Sequence, residues 1–362
     1  MDAYINTSDI QNYFRELILI SLGKLSQFSK TLSDNEWKEL FDSAKSQAIL
    51  GFCFTGLEQI PKDQRPSKDI LFQWFAYTEQ IERTNSLLNS QAKELTSLFE
   101  KGGFESSILK GQGVAQLYPI PKRRQSGDID IWISGERDNI VKFARTNGQV
   151  HSVSIKHAKF KYFNDTEVEI HFIPTWFYNP INHRKWIIWE NNVKDQQFCI
   201  SDIGFSIPTI QFNLVYSMIH IYRHLFDEGI GLRQLMDYYY ILIHSEQSER
   251  TEAYKILCSL GMKRFVGAVM FVLQEFFRLE NEFLLCLPSE KYGRKFLSTI
   301  IEGGNFGAFD PNNQHQSETI ISRGIRNMKH ISKIAFDYPS EVFWSPIWKL
   351  WHWCWRKKHR YL

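Results

Sequence analysis

The feature that most constrains this chain is a run of six residues, DIDIWI, in which isoleucine fills every second position. This alternation predicts a β-strand, because successive side chains of a strand point to opposite faces of a sheet. Asp128 and Asp130 therefore lie on one face of the predicted strand. Ile129, Ile131 and Ile133 lie on the other face, which we expect to enter the core.

Two carboxylates this close repel each other unless a cation lies between them. Mg²⁺ is the expected ion, with Mn²⁺ as its substitute, because such hard cations prefer oxygen ligands. Sites of this kind hold two ions and transfer phosphoryl or nucleotidyl groups. The alternative is an edge strand whose acidic face is simply solvated, and the Asp-x-Asp pattern alone does not exclude it.

A second alternating run, TEVEIHFI, begins at residue 166. Glu167, Glu169 and His171 share one face of this predicted strand, and Val168 and Ile170 share the other. If the two strands are neighbours, Glu169 supplies a third carboxylate, which either binds the ion that activates the nucleophile or accepts its proton. Glu167 is the rival for this role, and the spacing does not separate the two.

The two acidic strands fall in a segment of short β-type runs between long helical stretches. Before this segment, the Ser33-x-x-Glu36 pattern predicts the start of a helix. After it, apolar residues recur at helical spacing to the end of the chain. We therefore predict an α+β fold with an N-terminal helical region at 1–103, a small mixed α/β core at 104–205 and a C-terminal helical region at 206–362.

Shorter motifs accompany the carboxylates. In chain order they are Lys110-Gly111, Tyr118-Pro119, Arg124 four residues before Asp128, and Val168-Glu169-Ile170-His171. Together these motifs resemble the uncharacterised nucleotidyltransferase family of the DNA polymerase β-like nucleotidyltransferase superfamily. The resemblance implies that the core is a small polymerase-β-like sheet, that Asp128 and Asp130 bind the metals, and that Glu169 is the third carboxylate. It also implies that Gly111 lies in the loop that approaches a nucleoside triphosphate.

The Lys110-Gly111 element has a physical basis for binding phosphate. A glycine at a strand-to-helix turn lets backbone N–H groups approach phosphate oxygens. Lys110 can add a point charge, and Arg124 can add a bidentate fork. The alternatives are surface charge for both residues, or an ion pair between Arg124 and the aspartates. Members of the superfamily usually carry a small residue after the glycine, and Gln112 departs from that pattern.

From these features we predict an Mg²⁺-dependent nucleotidyltransferase. It would move a nucleoside monophosphate from a nucleoside triphosphate to a hydroxyl or phosphate of an unidentified acceptor. The alternative is an inactive nucleotide-binding or assembly protein with the same fold. A net charge of only +3 argues against long nucleic acid as a partner. Five dispersed cysteines, with no signal-like N-terminus and no long apolar stretch, predict a cytoplasmic protein.

Two residue pairs in the C-terminal region have the four-residue spacing of neighbours on a helix. His220 and His224 are expected to be packing or hydrogen-bonding histidines, since no third metal ligand lies nearby in the sequence. Arg233 and Asp237 are expected to form an ion pair. His224 and the stretch Gly231-Leu232-Arg233-x-x-x-Asp237 resemble the helical extension of the same family.

The C-terminus combines tryptophan with basic residues. Four tryptophans recur at helical spacing, namely Trp344, Trp348, Trp351 and Trp355. Four basic residues follow, namely Arg356, Lys357, Lys358 and Arg360. Two interpretations are open. Residues 340–362 would make a peripheral contact with an anionic membrane, or the tryptophan stripe would dock on the body of the protein while the basic end stays solvated.

Overall fold

The computed structural model describes residues 9–198, 203–227, 229–303 and 337–359. Within these ranges the chain forms thirteen α-helices and one five-stranded sheet. This confirms the predicted α+β class. The sheet is small and lies between two groups of helices that are separated along the sequence.

Four α-helices precede the sheet. They are α1 (Asp9–Ser21), α2 (Asp34–Ser46), α3 (Leu50–Gln59) and α4 (Lys68–Lys101). Helix α2 begins where the sequence predicts, because the side chain of Ser33 accepts a hydrogen bond from the amide of Glu36 and the Glu36 carboxylate accepts one from the amide of Ser33. Helix α4 links the helical part to the sheet, since Trp74 packs in the helical core whereas Leu95 and Phe99 pack against the sheet.

The sheet has one parallel pair of strands at its centre. Its strands are β1 (Ser106–Leu109), β2 (Asp128–Ile133), β3 (Gln149–His151), β4 (His157–Lys161) and β5 (Glu167–His171). Across the sheet their order is β1-β2-β5-β4-β3. Strands β2 and β5 are parallel neighbours, and the other adjacent pairs are antiparallel. Helix α5 (Gly111–Ala115) follows β1, and α6 (Arg137–Asn147) follows β2.

The two faces of the sheet have different chemistry. Ile129, Ile131 and Ile133 are fully buried in an apolar cluster formed with residues of α4 and α6. Asp130 and Glu169 lie on the opposite face, where they line a cavity. The alternation along β2 therefore separates a hydrophobic face from an acidic face, as the sequence predicts.

Seven α-helices follow the sheet. They are α7 (Pro180–Val193), α8 (Ile210–Asp227), α9 (Leu232–Ile243), α10 (Gln247–Ser259), α11 (Lys263–Phe277), α12 (Glu290–Gly303) and α13 (Pro339–Lys358). Short 3₁₀ helices occur at Lys62–Gln64, Pro121–Arg123, Lys194–Gln197 and Asn281–Phe283. Helices α8 and α9 pack against each other and lie across the cavity from the acidic face of the sheet.

The helices before and after the sheet share one apolar core. Trp37 of α2, Trp74 of α4, Tyr216 of α8 and Tyr238 of α9 belong to the same cluster of buried side chains. The division of the chain at residues 103 and 205 stays a prediction. The packing shows that the two helical groups do not have separate cores, because their buried side chains belong to one cluster.

Helix α13 splits the tryptophan stripe between two environments. Trp348 stacks on Trp176 at a centroid distance of 6.4 Å, and the Arg137 guanidinium lies 4.8 Å from the ring centroid of Trp355. Trp351, in contrast, is half exposed. Arg360 lies outside the described residues. One face of α13 thus contacts the body of the protein, and the contact predicted between residues 340–362 and a membrane stays a prediction.

Two further observations concern the length of the apolar helices and the state of the cysteines. Among the helices of the described ranges, none is both long and apolar enough to cross a bilayer. Cys53, Cys258, Cys286 and Cys354 are free thiols, and Cys199 lies outside the described residues. The cytoplasmic location stays a prediction.

Candidate active site

Three side chains converge where β2 and β5 run side by side. Asp130 is the register partner of Glu169, and His171 follows two residues later on the same face of β5. The Nε2 atom of His171 lies 2.7 Å from Oδ1 of Asp130 and 3.7 Å from Oε2 of Glu169. Donor atoms of the three residues all lie within 4.8 Å of one another. The parallel pairing therefore builds a compact donor cluster from two short segments of sequence.

Asp128 lies beside this cluster but outside it. It shares the acidic face with Asp130 and lines the cavity, yet it lies at the more exposed start of β2 and is not one of the three residues whose donor atoms converge. The negative charge of Asp130 raises the pKa of the Asp128 carboxyl, and partial burial adds to the effect. Such mutual repulsion is the electrostatic condition under which a cation between the two carboxylates is favourable.

Two protein groups contact the Asp130 carboxylate. Lys110 Nζ lies 3.0 Å from Oδ2, and His171 binds Oδ1. Burial on its own would raise the pKa of Asp130, but the positive charge of Lys110 and the hydrogen bond from His171 outweigh it and hold the pKa well below its usual range. Asp130 is therefore ionised at neutral pH even though it is buried.

The turn between β1 and α5 aims Lys110 at the cluster. Lys110 has a φ of 50° and Gly111 a φ of 21°, so the backbone here adopts a conformation that L side chains rarely take. Burial disfavours the charged ammonium of Lys110, but the negative charge of Asp130 more than offsets this and raises the pKa of the lysine. Lys110 and Gly111 both line the cavity. A strained backbone at a cavity wall is often a feature of a functional site.

Of the two candidate glutamates, the structure brings only Glu169 to the cluster. The side chain of Glu169 is 23% exposed and faces Asp130. The side chain of Glu167 is 76% exposed and lies 3.5 Å from Lys159 Nζ on the neighbouring strand. Burial and the charge of Asp130 raise the pKa of Glu169. The spacing in the sequence did not distinguish the two glutamates. Their positions along β5 do, because only Glu169 lies beside Asp130.

Arg124 lines the cavity, but its ion-pair partner lies on helix α9 and not on the acidic strand β2. Its Nε and Nη2 atoms donate to the two carboxylate oxygens of Asp237 on α9 at 2.8 and 2.6 Å. The Tyr118 hydroxyl also donates to Asp237, at 2.6 Å. The expected alternative, a pair between Arg124 and Asp128 or Asp130, is therefore not what the structure shows. Arg124 joins the strand connection to α9.

The ion pair formed by Asp237 also differs from the sequence expectation. Spacing predicted a bond with Arg233, one turn earlier on α9. Instead, the ion pair that the structure shows at Asp237 is with Arg124, while Arg233 Nη1 donates to the backbone carbonyl of Gln125 at 2.9 Å. Because Arg124 reaches Asp237 from outside the helix, its planar fork can bind both carboxylate oxygens at once.

The cavity has a volume of about 340 Å³ and a polar wall made by α8 and α9. Three residues on this wall were not marked by any sequence pattern, namely Ser217, Arg223 and Gln234. His220 and His224 also line it, and their Nε2 atoms are 2.8 Å apart. They are hydrogen-bonded to each other, and burial lowers the pKa of His220 well below its usual value. A polar helix face inside an apolar helical core is a signal that could have marked this wall.

Further residues of the site come from β4 and the segment after β5. His157 is the register partner of His171, and its Nδ1 atom lies 3.9 Å from Glu169 Oε2. Burial and the neighbouring His171 lower the pKa of His157 to about 3, so it is neutral at physiological pH. Trp176 lines the cavity beside Arg223 and packs against Trp348 of α13. Neither His157 nor Trp176 was marked by the sequence pattern.

The chemistry of the cluster suits a divalent metal ion. Asp130 and Glu169 offer hard carboxylate oxygens, and His171 offers an imidazole nitrogen, all within the span of one coordination sphere. Carboxylate ligands suit both Mg²⁺ and Mn²⁺, and one imidazole nitrogen among them extends the set toward transition-metal ions. The residues present thus fit a divalent metal ion, and the cavity beside them has room for a further ligand. The identity and the number of ions stay predictions.

The fold is α+β, and its cavity holds a cluster of candidate metal ligands. The family described as uncharacterised nucleotidyltransferase matches residues 33–278 of the chain, and the chain belongs to this family. No curated protein sequence matches the chain. A crystal structure of an antigenic nucleotidyltransferase-like protein from Paracoccidioides brasiliensis is similar over 57% of this chain and 95% of that chain, with 12% sequence identity and a TM-score of 0.36.

Proposed function

We propose that this chain is a metal-dependent nucleotidyltransferase that transfers a nucleoside monophosphate to a hydroxyl or phosphate oxygen of an acceptor. The observation that carries the proposal is the convergence of Asp130, Glu169 and His171 beside the Lys110-Gly111 turn in one cavity. Family membership supports the reaction class. The location of the donor cluster within the cavity supports a reaction that takes place there.

In the proposed reaction an acceptor oxygen forms a bond to the α-phosphorus of a nucleoside triphosphate. The bond between the α-phosphorus and the bridging oxygen breaks, pyrophosphate leaves with the electron pair, and a hydroxyl acceptor gives its proton to Glu169 or to water. Asp128, Asp130 and Glu169 would hold two divalent ions, Mg²⁺ or Mn²⁺, which supply positive charge to the attacking and leaving oxygens.

The residues of the chain contribute orientation and charge in this scheme. Lys110 presents a fixed positive charge next to Asp130, and Gly111 keeps the backbone free of a side chain where a triphosphate would approach. Arg124 is committed to Asp237, so its proposed contribution to nucleotide binding is to hold the wall of the cavity together. The polar face of α8 and α9 would receive the acceptor.

A second candidate function is nucleotide binding without turnover. It is favoured by the observation that both oxygens of Asp130 already have protein partners in Lys110 and His171. A protein of this type would bind a nucleotide and signal or assemble in response. Gln112, which departs from the usual small residue, also favours it, because its side chain is buried next to the proposed triphosphate loop.

Calorimetry combined with pyrophosphate detection separates the two candidates. ATP, CTP, GTP and UTP are titrated into the wild-type chain with Mg²⁺ or Mn²⁺, and then into Asp130→Asn. Metal-dependent binding with release of pyrophosphate supports the transferase, and both signals should fall in the variant. Binding with no pyrophosphate on any acceptor tested supports the binding protein. No nucleotide binding to a folded wild-type chain would refute both.

A further inference from the structure

Helix α13 is fixed to the body of the protein by its first turn. The Glu341 carboxylate accepts hydrogen bonds from the backbone amides of Tyr178 and Asn179 at 2.8 and 3.2 Å, and it lies 3.6 Å from an amino group of Arg223. Glu341 is almost fully buried. These contacts hold the start of the helix and thereby fix which of its faces points away from the protein.

The inner face of α13 follows from these contacts. Residues at a spacing of four and three positions return to one side of a helix. The buried or half-buried residues that follow Glu341 at this spacing are Ser345, Trp348, His352 and Trp355. Trp348 packs on Trp176, and Arg137 lies over Trp355. The inner face is therefore covered along the length of the helix.

The outer face of α13 is apolar and exposed. Phe343 and Leu350 are each 64% exposed, and Ile347, Trp351 and Trp353 are each about half exposed. Phe343, Ile347 and Leu350 are separated by four and three positions, so they form a stripe on the side opposite Trp348. A contiguous apolar stripe on a folded protein commonly marks a surface that binds something.

The charges on α13 all have one sign outside its first turn. From residue 342 to residue 359 the sequence contains no aspartate or glutamate and four basic residues, which are Lys349, Arg356, Lys357 and Lys358. Lys357 and Lys358 are exposed at the end of the apolar stripe. The one carboxylate of the helix, that of Glu341, accepts hydrogen bonds from the backbone amides of Tyr178 and Asn179 and therefore faces the protein.

We infer that the outer face of α13, defined by Phe343, Ile347, Leu350 and Trp351, binds peripherally to an anionic lipid surface. The apolar and aromatic side chains enter the boundary between headgroups and acyl chains, and Lys357 and Lys358 contact the anionic headgroups. A second copy of this chain is a poorer occupant, because its own outer face offers no carboxylate to these lysines. This inference is independent of the chemistry proposed for the cavity.

Co-sedimentation of the full chain with vesicles tests the inference. We expect binding to vesicles of phosphatidylcholine mixed with phosphatidylglycerol, little binding to phosphatidylcholine alone, and weakening as salt screens the headgroup charge. Phe343→Glu should lower the affinity about 10-fold or more, because it places a charge in the apolar stripe. Phe72→Glu is the matched control, since Phe72 is 71% exposed on α4 and should leave binding unchanged.

A charge variant and two solution measurements complete the test. Lys357→Ala with Lys358→Ala should lower the affinity for anionic vesicles about 10-fold or more. Circular dichroism confirms that each variant is folded. The inference is overturned if the folded wild-type chain fails to bind anionic vesicles, or if Phe343→Glu binds as well as Phe72→Glu. It is also overturned if light scattering shows a dimer that Phe343→Glu dissociates, since a second copy then occupies the face.

Discussion

Asp130 and Glu169 lie directly opposite each other on parallel neighbouring strands, so that two carboxylates 39 positions apart in the sequence face the same cavity. His171 completes the cluster from the same strand as Glu169. Lys110 neutralises part of its charge from the preceding turn. This relationship carries the proposed function.

Glu169 and Glu167 should differ sharply in their effect on activity. We expect Glu169→Gln to lower kcat for nucleotidyl transfer about 100-fold or more, because it removes the third carboxylate from the cluster. Glu167→Gln is the matched control, since Glu167 lies two residues away on the same strand but is solvent-exposed. Pyrophosphate release under saturating nucleotide measures both variants. If kcat falls equally in the two variants, Glu169 does not have the proposed role.

His171 should act as a ligand of Mn²⁺. Its Nε2 atom faces both carboxylates, so a bound ion there meets an imidazole nitrogen. We expect pulsed electron paramagnetic resonance of the Mn²⁺-loaded chain to show coupling to ¹⁴N, and His171→Gln to abolish that coupling. The same variant should weaken Mn²⁺ binding by about 10- to 100-fold. If His171→Gln binds Mn²⁺ more weakly but the wild-type spectrum shows no ¹⁴N coupling, His171 is not a ligand of the ion. Its role would then be to position Asp130.

Lys110→Met should change metal and nucleotide affinities in opposite directions. Removing the ammonium from Oδ2 of Asp130 takes away a cation that competes with the metal, so Mn²⁺ should bind about 10-fold more tightly. The same change removes a charge proposed to contact the triphosphate, so nucleotide should bind more weakly. Lys159→Met, on the neighbouring strand and exposed, should alter neither affinity. Titration calorimetry measures the Mn²⁺ affinity and the nucleotide affinity of each variant. If both affinities of Lys110→Met rise or both fall, the proposed role of Lys110 is contradicted.

The Arg124–Asp237 ion pair should matter mainly to stability. Both residues are buried, so Asp237→Asn leaves the guanidinium with an incomplete partner and should lower the free energy of unfolding by about 3–5 kcal/mol. Glu290→Gln, which breaks an exposed pair with Arg294, should cost roughly 0.5 kcal/mol or less. Urea unfolding measures both. If Asp237→Asn loses no more free energy of unfolding than Glu290→Gln, the buried ion pair does not stabilise the fold as proposed.

Glu190 should make the protein less stable as the pH rises from about 4.5 to about 7. Burial in α7 raises the pKa of its carboxyl to about 7, although Lys194 opposes the shift. The native state therefore binds more protons than the unfolded state between about pH 4.5 and pH 7, so the free energy of unfolding falls over that window. Glu190→Gln should remove this fall and, above pH 7, unfold with a free energy higher by roughly 3 kcal/mol. A stability curve that keeps the wild-type slope would exclude Glu190 as its source.

The sequence by itself determined the local order of this protein. Strict alternation in DIDIWI placed Asp128 and Asp130 on one face of β2 and three isoleucines in the core, and the Ser33-x-x-Glu36 pattern gave the start of α2. The motifs around these residues also gave the family. Such features depend on geometry between residues a few positions apart, which an isolated sequence already contains.

Only the tertiary structure decided which distant residues meet. The parallel pairing of β2 and β5 brought Glu169 and His171 to Asp130, whereas Glu167 stayed exposed at the start of β5. The packing of α9 placed Asp237 in an ion pair with Arg124 instead of Arg233. Docking of α13 through Glu341 likewise decided which of its tryptophans face the protein. These choices depend on strand register and on the geometry of helices brought together by the core, and spacing along the chain does not encode either of them locally.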